Sequence, residues 1–242
     1  MRSLKDILKE SILDDIDTQI EKGDDAIKDE IMAFLNENYE GTFKISKKPN
    51  TDGLYKVSST KDVEVTNKNI TSLTNGMFVW SKINGDFVCF NCSSLESLEG
   101  APEKIGGDFD CSRCNSLTSL EGAPKEVGKD FDCRRCESLT SLEGAPEKVG
   151  RDFDCASCNS LISLEGAPKE VENMFICVNC KSLKSLKGAP EKIGGDFDCF
   201  NCPSLKSLEG APKEVGGDFG YDKQFTEDDV KKVSNVKGKI FC

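Results

Sequence analysis

The residues of this chain best suited to chemistry are its cysteines. Twelve of the thirteen fall into Cys-x-x-Cys pairs: Cys89/Cys92, Cys111/Cys114, Cys133/Cys136, Cys155/Cys158, Cys177/Cys180 and Cys199/Cys202. Two such pairs can supply four thiolates to a zinc ion. One pair, activated at a helix start, can run dithiol redox chemistry. Histidine is absent, which removes the commonest metal ligand and every Ser-His, Cys-His or two-His-carboxylate site. With no assembled catalytic set, the expectation is a protein that is not an enzyme and uses no cofactor.

The pairs sit inside a repeat. From Gly85 a 22-residue unit recurs six times, beginning at Gly85, Gly107, Lys129, Arg151, Asn173 and Gly195, and a degraded seventh opens at Gly217. Each unit follows F-x-C-x-x-C-x-S-L-x-S-L-x-G-A-P-x-x-[VI]. Phe109 and Cys111 alternate as one face of a short strand, Cys114, Leu117 and Leu120 turn inward, and Gly-Ala-Pro breaks the chain before it returns. A single coil cannot bury these side chains alone, so stacked neighbours must complete the core. The cysteines then have a structural reading, as two ladders of thiols. Sulfurs on a tetrahedral zinc lie about 3.8 Å apart, whereas ladder neighbours follow the ~4.8 Å strand spacing. Tyr221 and Gln224 stand in the two cysteine slots of the seventh unit, as packing tolerates and a metal ligand set does not. Spacing therefore favours the ladder over zinc, redox or disulfide chemistry. Cys242 reads as a free thiol.

The pattern resembles the leucine-rich repeat, L-x-L-x-x-[N/C]-x-x-L, with Phe109, Cys111, Cys114 and Leu117 in the four slots, from about Asp62 to Phe219. The T-S-L segment and the proline after it are similar to repeats of bacterial effectors. An aromatic replaces the first leucine, and Gly-Ala-Pro replaces the Leu-Pro step. The resemblance implies an α/β-type repeat solenoid, a right-handed superhelix with a parallel sheet on its concave side. It also implies a source in bacteria or their phages, and a host-interaction, counter-defence or virion-associated role. Some similar effectors carry a separate ubiquitin-ligase domain. Only about 25 residues follow these repeats, so that activity is not expected.

The elements that must hold the coils lie at either end. Residues 1–40 carry two helical patterns, Leu4, Ile7, Leu8, Ile12, Ile16, Ile20 and then Ile27, Ile31, Phe34, Leu35. Residues 41–84 predict a β-hairpin turning at Pro49–Gly53, followed by a degenerate coil around Val63, Val65, Ile70 and Leu73. Both segments would cap the solenoid, the first helix alternatively acting as a docking arm. The repeats proper occupy 85–216. Residues 217–242 predict a degenerate repeat and a short capping helix from Thr226.

Residues flanking Phe and the first Cys should face outward and carry any partner. Most units place aspartates there: Asp108 and Asp110, Asp130 and Asp132, Asp152 and Asp154, Asp196 and Asp198. This column reads as a solvated acidic face, or as a site for a basic partner or calcium. The unit from Asn173 differs, placing Met174, Ile176 and Val178 outward, and the next adds Phe200; together they predict an apolar patch. Phe90 occupies the same repeat position as Phe200 and is also expected on the concave face. A second, smaller spot combines Arg113, Arg134 and Arg135, suited to a carboxylate or phosphate. The chain has 32 basic and 43 acidic residues, a net charge of −11. That argues against a nucleic-acid backbone as ligand. MRSLKDILKESILDD places acids where an export signal has its apolar run, and no stretch is long and apolar enough to span a membrane. The resulting expectation is a cytoplasmic protein-binding solenoid, monomeric or assembling end to end, whose partner is another protein. A zinc-bound or thiol-redox structural protein is the alternative.

Overall fold

Phe, the first Cys, the second Cys, both leucines and the final Val or Ile of every repeat are buried, most of them completely. The chain between them is bent into a closed coil with two straight sides. The computed structural model describes residues 23–242. The first helical pattern, Leu4 to Ile20, lies outside the described residues.

A helix covering 23–38, α1, leads into β1 (Tyr39–Glu40), β2 (Lys44–Ile45), β3 (Tyr55–Ser59) and β4 (Val63–Val65). Next come β5 (Phe78–Ile83) and β6 (Phe87–Val88). Six pairs of two-residue strands follow, from Lys104–Ile105 and Phe109–Asp110 (β7, β8) to Glu214–Val215 and Phe219–Gly220 (β17, β18). Helix α2 (Glu227–Val233), β19 (Asn235–Val236) and β20 (Ile240–Phe241) close the order. The strands form two ten-stranded sheets, one through the Phe strands and one through the Val/Ile strands. Within the repeats all pairing is parallel and in register, Phe131 against Phe109 and Phe153, Val149 against Val127 and Val171.

The fold is thus a repeat solenoid with parallel sheets, and it differs from the expected single concave sheet. The side after Gly-Ala-Pro is a second strand because a β-branched residue there buries against the core while Lys and Glu beside it stay in solvent. The repeats hold no helix, so the α/β character expected of them is not found. The corner before that strand is turned by a glycine with φ near +85°, as at Gly122.

The Phe rings stack along the axis, with centroids 5.7, 5.3, 5.2 and 5.1 Å apart from Phe87 to Phe175. At the amino-terminal end Trp80 meets Phe87 edge-on at 5.6 Å, and Tyr39 meets Trp80 at 5.4 Å. The Tyr39 hydroxyl and the Trp80 indole N–H both donate to the Leu73 carbonyl. Ile31 and Leu35 of α1 are fully buried in the same cluster. β2 and β3 pair antiparallel, as do β1 and β4, so the first edge of each sheet is antiparallel. At the other end Thr226 caps α2 through a reciprocal bond with Asp229, as its sequence suggests. The helix is not the last element, because β19 and β20 then extend both sheets.

Candidate functional site

The corner that follows each Phe strand brings the cysteines, the aspartates and the arginines together. From the second unit on, the second Cys sends its Sγ to the backbone carbonyl of the first Cys one coil earlier. Cys114 reaches Cys89 at 3.1 Å, Cys136 reaches Cys111 at 3.2 Å, and Cys158, Cys180 and Cys202 repeat the contact at 3.2, 3.3 and 3.2 Å. In the seventh unit Gln224 fills the slot and donates to a different carbonyl of the preceding coil, that of Leu205. The thiol ladder is therefore a ladder of S–H···O bonds that satisfies inward-facing carbonyls. All twelve repeat cysteines are free and buried. Burial pushes the Cys111, Cys133, Cys155, Cys177 and Cys199 thiols far above their ordinary range, which makes them poor nucleophiles. Among the described residues no group of three or more Cys, Asp or Glu side chains is arranged to hold a metal ion.

The aspartates are less free than an outward column implies. Asp108 Oδ1 accepts the Asp130 N–H one coil on at 3.0 Å, and the same bond links Asp86 to Asp108, Asp130 to Asp152 and Asp152 to Met174. The second column bonds within its own coil: Asp110 accepts Ser112 N–H, Asp132 accepts Arg134 N–H and Asp154 accepts Ala156 N–H, at 2.8, 3.0 and 2.8 Å. Both columns are half-buried. Their first task is to satisfy backbone donors at the coil corner. Asp132 shows the cost of stacking carboxylates: burial first, then Asp110 and Asp154, push its pKa up to about 7 against the pull of Arg134.

Asp198 is the exception in its column. Its neighbour in register on one side is Ile176 and on the other Gly220. One of its carboxylate oxygens is buried without a partner, and burial raises its pKa.

The apolar residues expected as a patch are distributed unevenly. Met174, Ile176 and Val178 are half-buried, because each is flanked above and below by the neighbouring coils. Phe200 is 38% exposed. Beyond it lies a groove of about 450 Å³, lined by Phe200, Pro203, Tyr221, Gln224 and Phe241 among others. A Cβ at Gly220 would lie 3.2 Å from the Phe200 ring and 3.3 Å from the Phe241 ring. The glycine thus makes room first for the Asp198 carboxylate, whose Oδ1 would clash with that Cβ, and then for both rings. Sequence reasoning missed Phe241 and the groove. The available signal was GDFGYDKQF, which puts Gly220 where the other units carry Asp, Val or Ile.

The three-arginine spot separates into two kinds. Arg134 is tied to Asp132 at 2.9 Å and lies 3.9 Å from Asp154. Arg113 and Arg135 are exposed and form no ion pair among the described residues. The Arg113 guanidinium lies 5.6 Å from the centre of the half-buried Phe90 ring. Phe90 is therefore part of the arginine corner and distant from Phe200.

Compared with known proteins, the chain matches no family model, no curated protein and no solved structure. Among the described residues no helix is long and apolar enough to cross a membrane.

Proposed function

We propose that this chain is a non-enzymatic protein-binding solenoid, and that its partner docks where Ile176, Val178, Phe200 and Phe241 interrupt the acidic columns. The observation that carries this reading is the groove between Phe200 and Phe241. One coil earlier, Ile176 pairs in register with Asp198, and half-buried Val178 holds the repeat position of Phe200. The occupant is a protein segment that places an apolar side chain in the groove and a lysine or arginine beside it. Two features support a basic partner. Asp198 keeps a buried oxygen without a donor next to Gly220, and the chain carries a net charge of −11.

The leucine-rich-repeat type of the solenoid belongs to this proposal, as does a bacterial or phage source with a host-interaction role. Its support is the repeat pattern and the second-cysteine slot, whose side chain bonds to a neighbouring coil's backbone as a polar ladder residue would. Cytoplasmic residence fits the reduced state of the buried thiols.

The test compares immobilised parent, Phe200→Asp and Ile162→Asp, the last altering a 46% exposed residue on another side of the coil. The expected result is one partner retained by parent and Ile162→Asp and lost by Phe200→Asp at unchanged melting temperature. Its protected segment should pair a basic with an apolar residue. Equal retention by Phe200→Asp overturns the proposal.

A further inference from the structure

The two unpaired arginines lie apart from the surface just proposed and call for a ligand of opposite charge. Arg113 and Arg135 occupy the same corner of successive coils, and both adopt the left-handed conformation, with φ of 59°. At this corner the other units place Asn91, Ser157, Asn179 and Asn201. Asparagine tolerates that backbone because its short polar side chain bonds locally, whereas a long side chain is disfavoured there. Two arginines in this position are a departure from the residue that suits the corner best.

Their charges are also left over. Most other basic side chains of the repeat sheets are matched to a carboxylate, among them Lys104 to Glu126, Lys148 to Glu172, Arg151 to Asp130 and Lys213 to Glu191. The nearest acidic column does not supply partners for Arg113 and Arg135. Asp110 is engaged by the Ser112 N–H, and Asp132 by both the backbone and the side chain of Arg134. The corner itself is held in place. Arg113 N–H donates to the Arg134 carbonyl, and Arg135 N–H to the Ala156 carbonyl, both at 2.9 Å. The two backbones are thus stacked at the ~4.8 Å spacing of adjacent strands, close enough for one oxyanion to take N–H groups from both side chains. The Arg113 guanidinium carbon lies over the Phe90 ring, a cation–π contact that uses none of its N–H donors and leaves them for a bidentate contact.

We infer that Arg113 and Arg135, with Phe90 beneath, form a second binding site whose ligand is a single oxyanion group, a carboxylate or a phosphate. The half-buried carboxylates around the corner repel a long polyanion, so the site suits one acidic group and not a nucleic-acid backbone. Planar guanidinium forks match the two coplanar oxygens of either group.

The experiment titrates two probes into the full chain at low ionic strength, pyrophosphate and a tetraglutamate peptide, by calorimetry. Three proteins are compared: parent, the double variant Arg113→Asn/Arg135→Asn, and Arg113→Lys/Arg135→Lys. The asparagine variant restores the residue favoured at this corner, so its melting temperature should equal or exceed that of the parent and loss of binding cannot be ascribed to unfolding. The expected result is saturable binding of at least one probe by the parent, at least tenfold weaker in the asparagine variant and several-fold weaker in the lysine variant. Binding of pyrophosphate alone identifies a phosphate-bearing ligand, and binding of the peptide alone a carboxylate-bearing one. Binding of neither probe by the parent, or equal affinity in the asparagine variant, overturns the site. Equal affinity in the lysine variant overturns the bidentate geometry. Phe200→Asp should leave all of these values unchanged, which separates this site from the apolar groove.

Discussion

At the scale of single residues, the two cysteines of a coil do different work, and the first-slot thiols of Cys155, Cys177 and Cys199 themselves reach carbonyls of the next coil at 3.4 Å. The second cysteine donates through Sγ and the first lends its carbonyl, as in Cys136 to Cys111. Replacing Cys136 with alanine removes the donor and leaves a buried acceptor with a small void, a loss of about 1–3 kcal/mol in denaturant unfolding. Serine keeps a donor in the slot and should recover part of that loss, whereas a role resting on sulfur alone would give no recovery. Asp132 makes a pH-dependent contribution. Its folded pKa of about 7 lies above the ordinary carboxylate value, so the folded state prefers the neutral form. Stability from that preference is complete below the unfolded pKa near ~3.9 and is lost as pH rises through 7. Asp132→Asn should therefore be more stable than the parent at pH 8, by roughly 1–2 kcal/mol after loss of the exposed Arg134 pair, and equal to it below pH 4. Unfolding curves at the two pH values check this. The cysteine slots were legible in the sequence because Tyr221 and Gln224 break them. The bonding of the aspartates was not, since a carboxylate that faces solvent and one that caps the next coil read alike.

At the scale of the coil, one joint is looser than the rest. On the side of the preceding coil, Glu172 stands where the other units have glycine, and its side chain presses on the Gly150 carbonyl, as a Cβ at Gly194 would press on that of Glu172. The side facing the following coil is the looser one. Between β13 (Glu170–Val171) and β15 (Lys192–Ile193) only Val171 and Ile193 remain in register, and the Gly194 N–H to Val171 carbonyl bond stretches to 3.2 Å from 2.9 Å at Gly150. Met174 replaces the aspartate that would cap the following coil, and the Phe175–Phe197 rings tilt by 31°. Amides of Ile193 and Gly194 should exchange with solvent faster than those of Val149 and Gly150 in a hydrogen-exchange experiment. Glu172→Gly should relieve the contact with the Gly150 carbonyl of the preceding coil and stabilise the chain by about 1–2 kcal/mol; slower unfolding without faster exchange at Gly150 would fit, and a destabilised variant would contradict this. The second sheet had a signal that went unread. Residues after Gly-Ala-Pro alternate Glu103-Lys104, Lys125-Glu126, Glu147-Lys148, which sets opposite charges side by side in stacked strands, as in Lys104–Glu126 at 2.7 Å. A two-residue strand is too short to show period-two patterning, so its sheet was hidden in any single repeat.

At the scale of the whole molecule, stability comes from columns that run the length of the solenoid: stacked Phe rings, leucines, thiols and aspartate caps. Each coil contacts mainly its neighbours, so a defect in the middle should be felt on both sides. Phe131→Ala, which breaks the most nearly parallel part of the stack, should cost about 3–5 kcal/mol. The period and the inward residues were readable because duplication repeats them. The aromatic plug of Tyr39, Trp80 and Phe87 occurs once and is assembled from distant segments, so no periodicity announces it. Separating packing from function in these columns rests on the thiols being interior rungs, and one measurement addresses that directly. Native protein is labelled with a thiol reagent, counted by mass spectrometry and analysed for zinc, then labelled again after unfolding. The account predicts rapid labelling of Cys242 alone, thirteen labels after unfolding, and no stoichiometric zinc. Rapid native labelling of any Cys-x-x-Cys pair, or zinc bound in whole-number ratio, would contradict it.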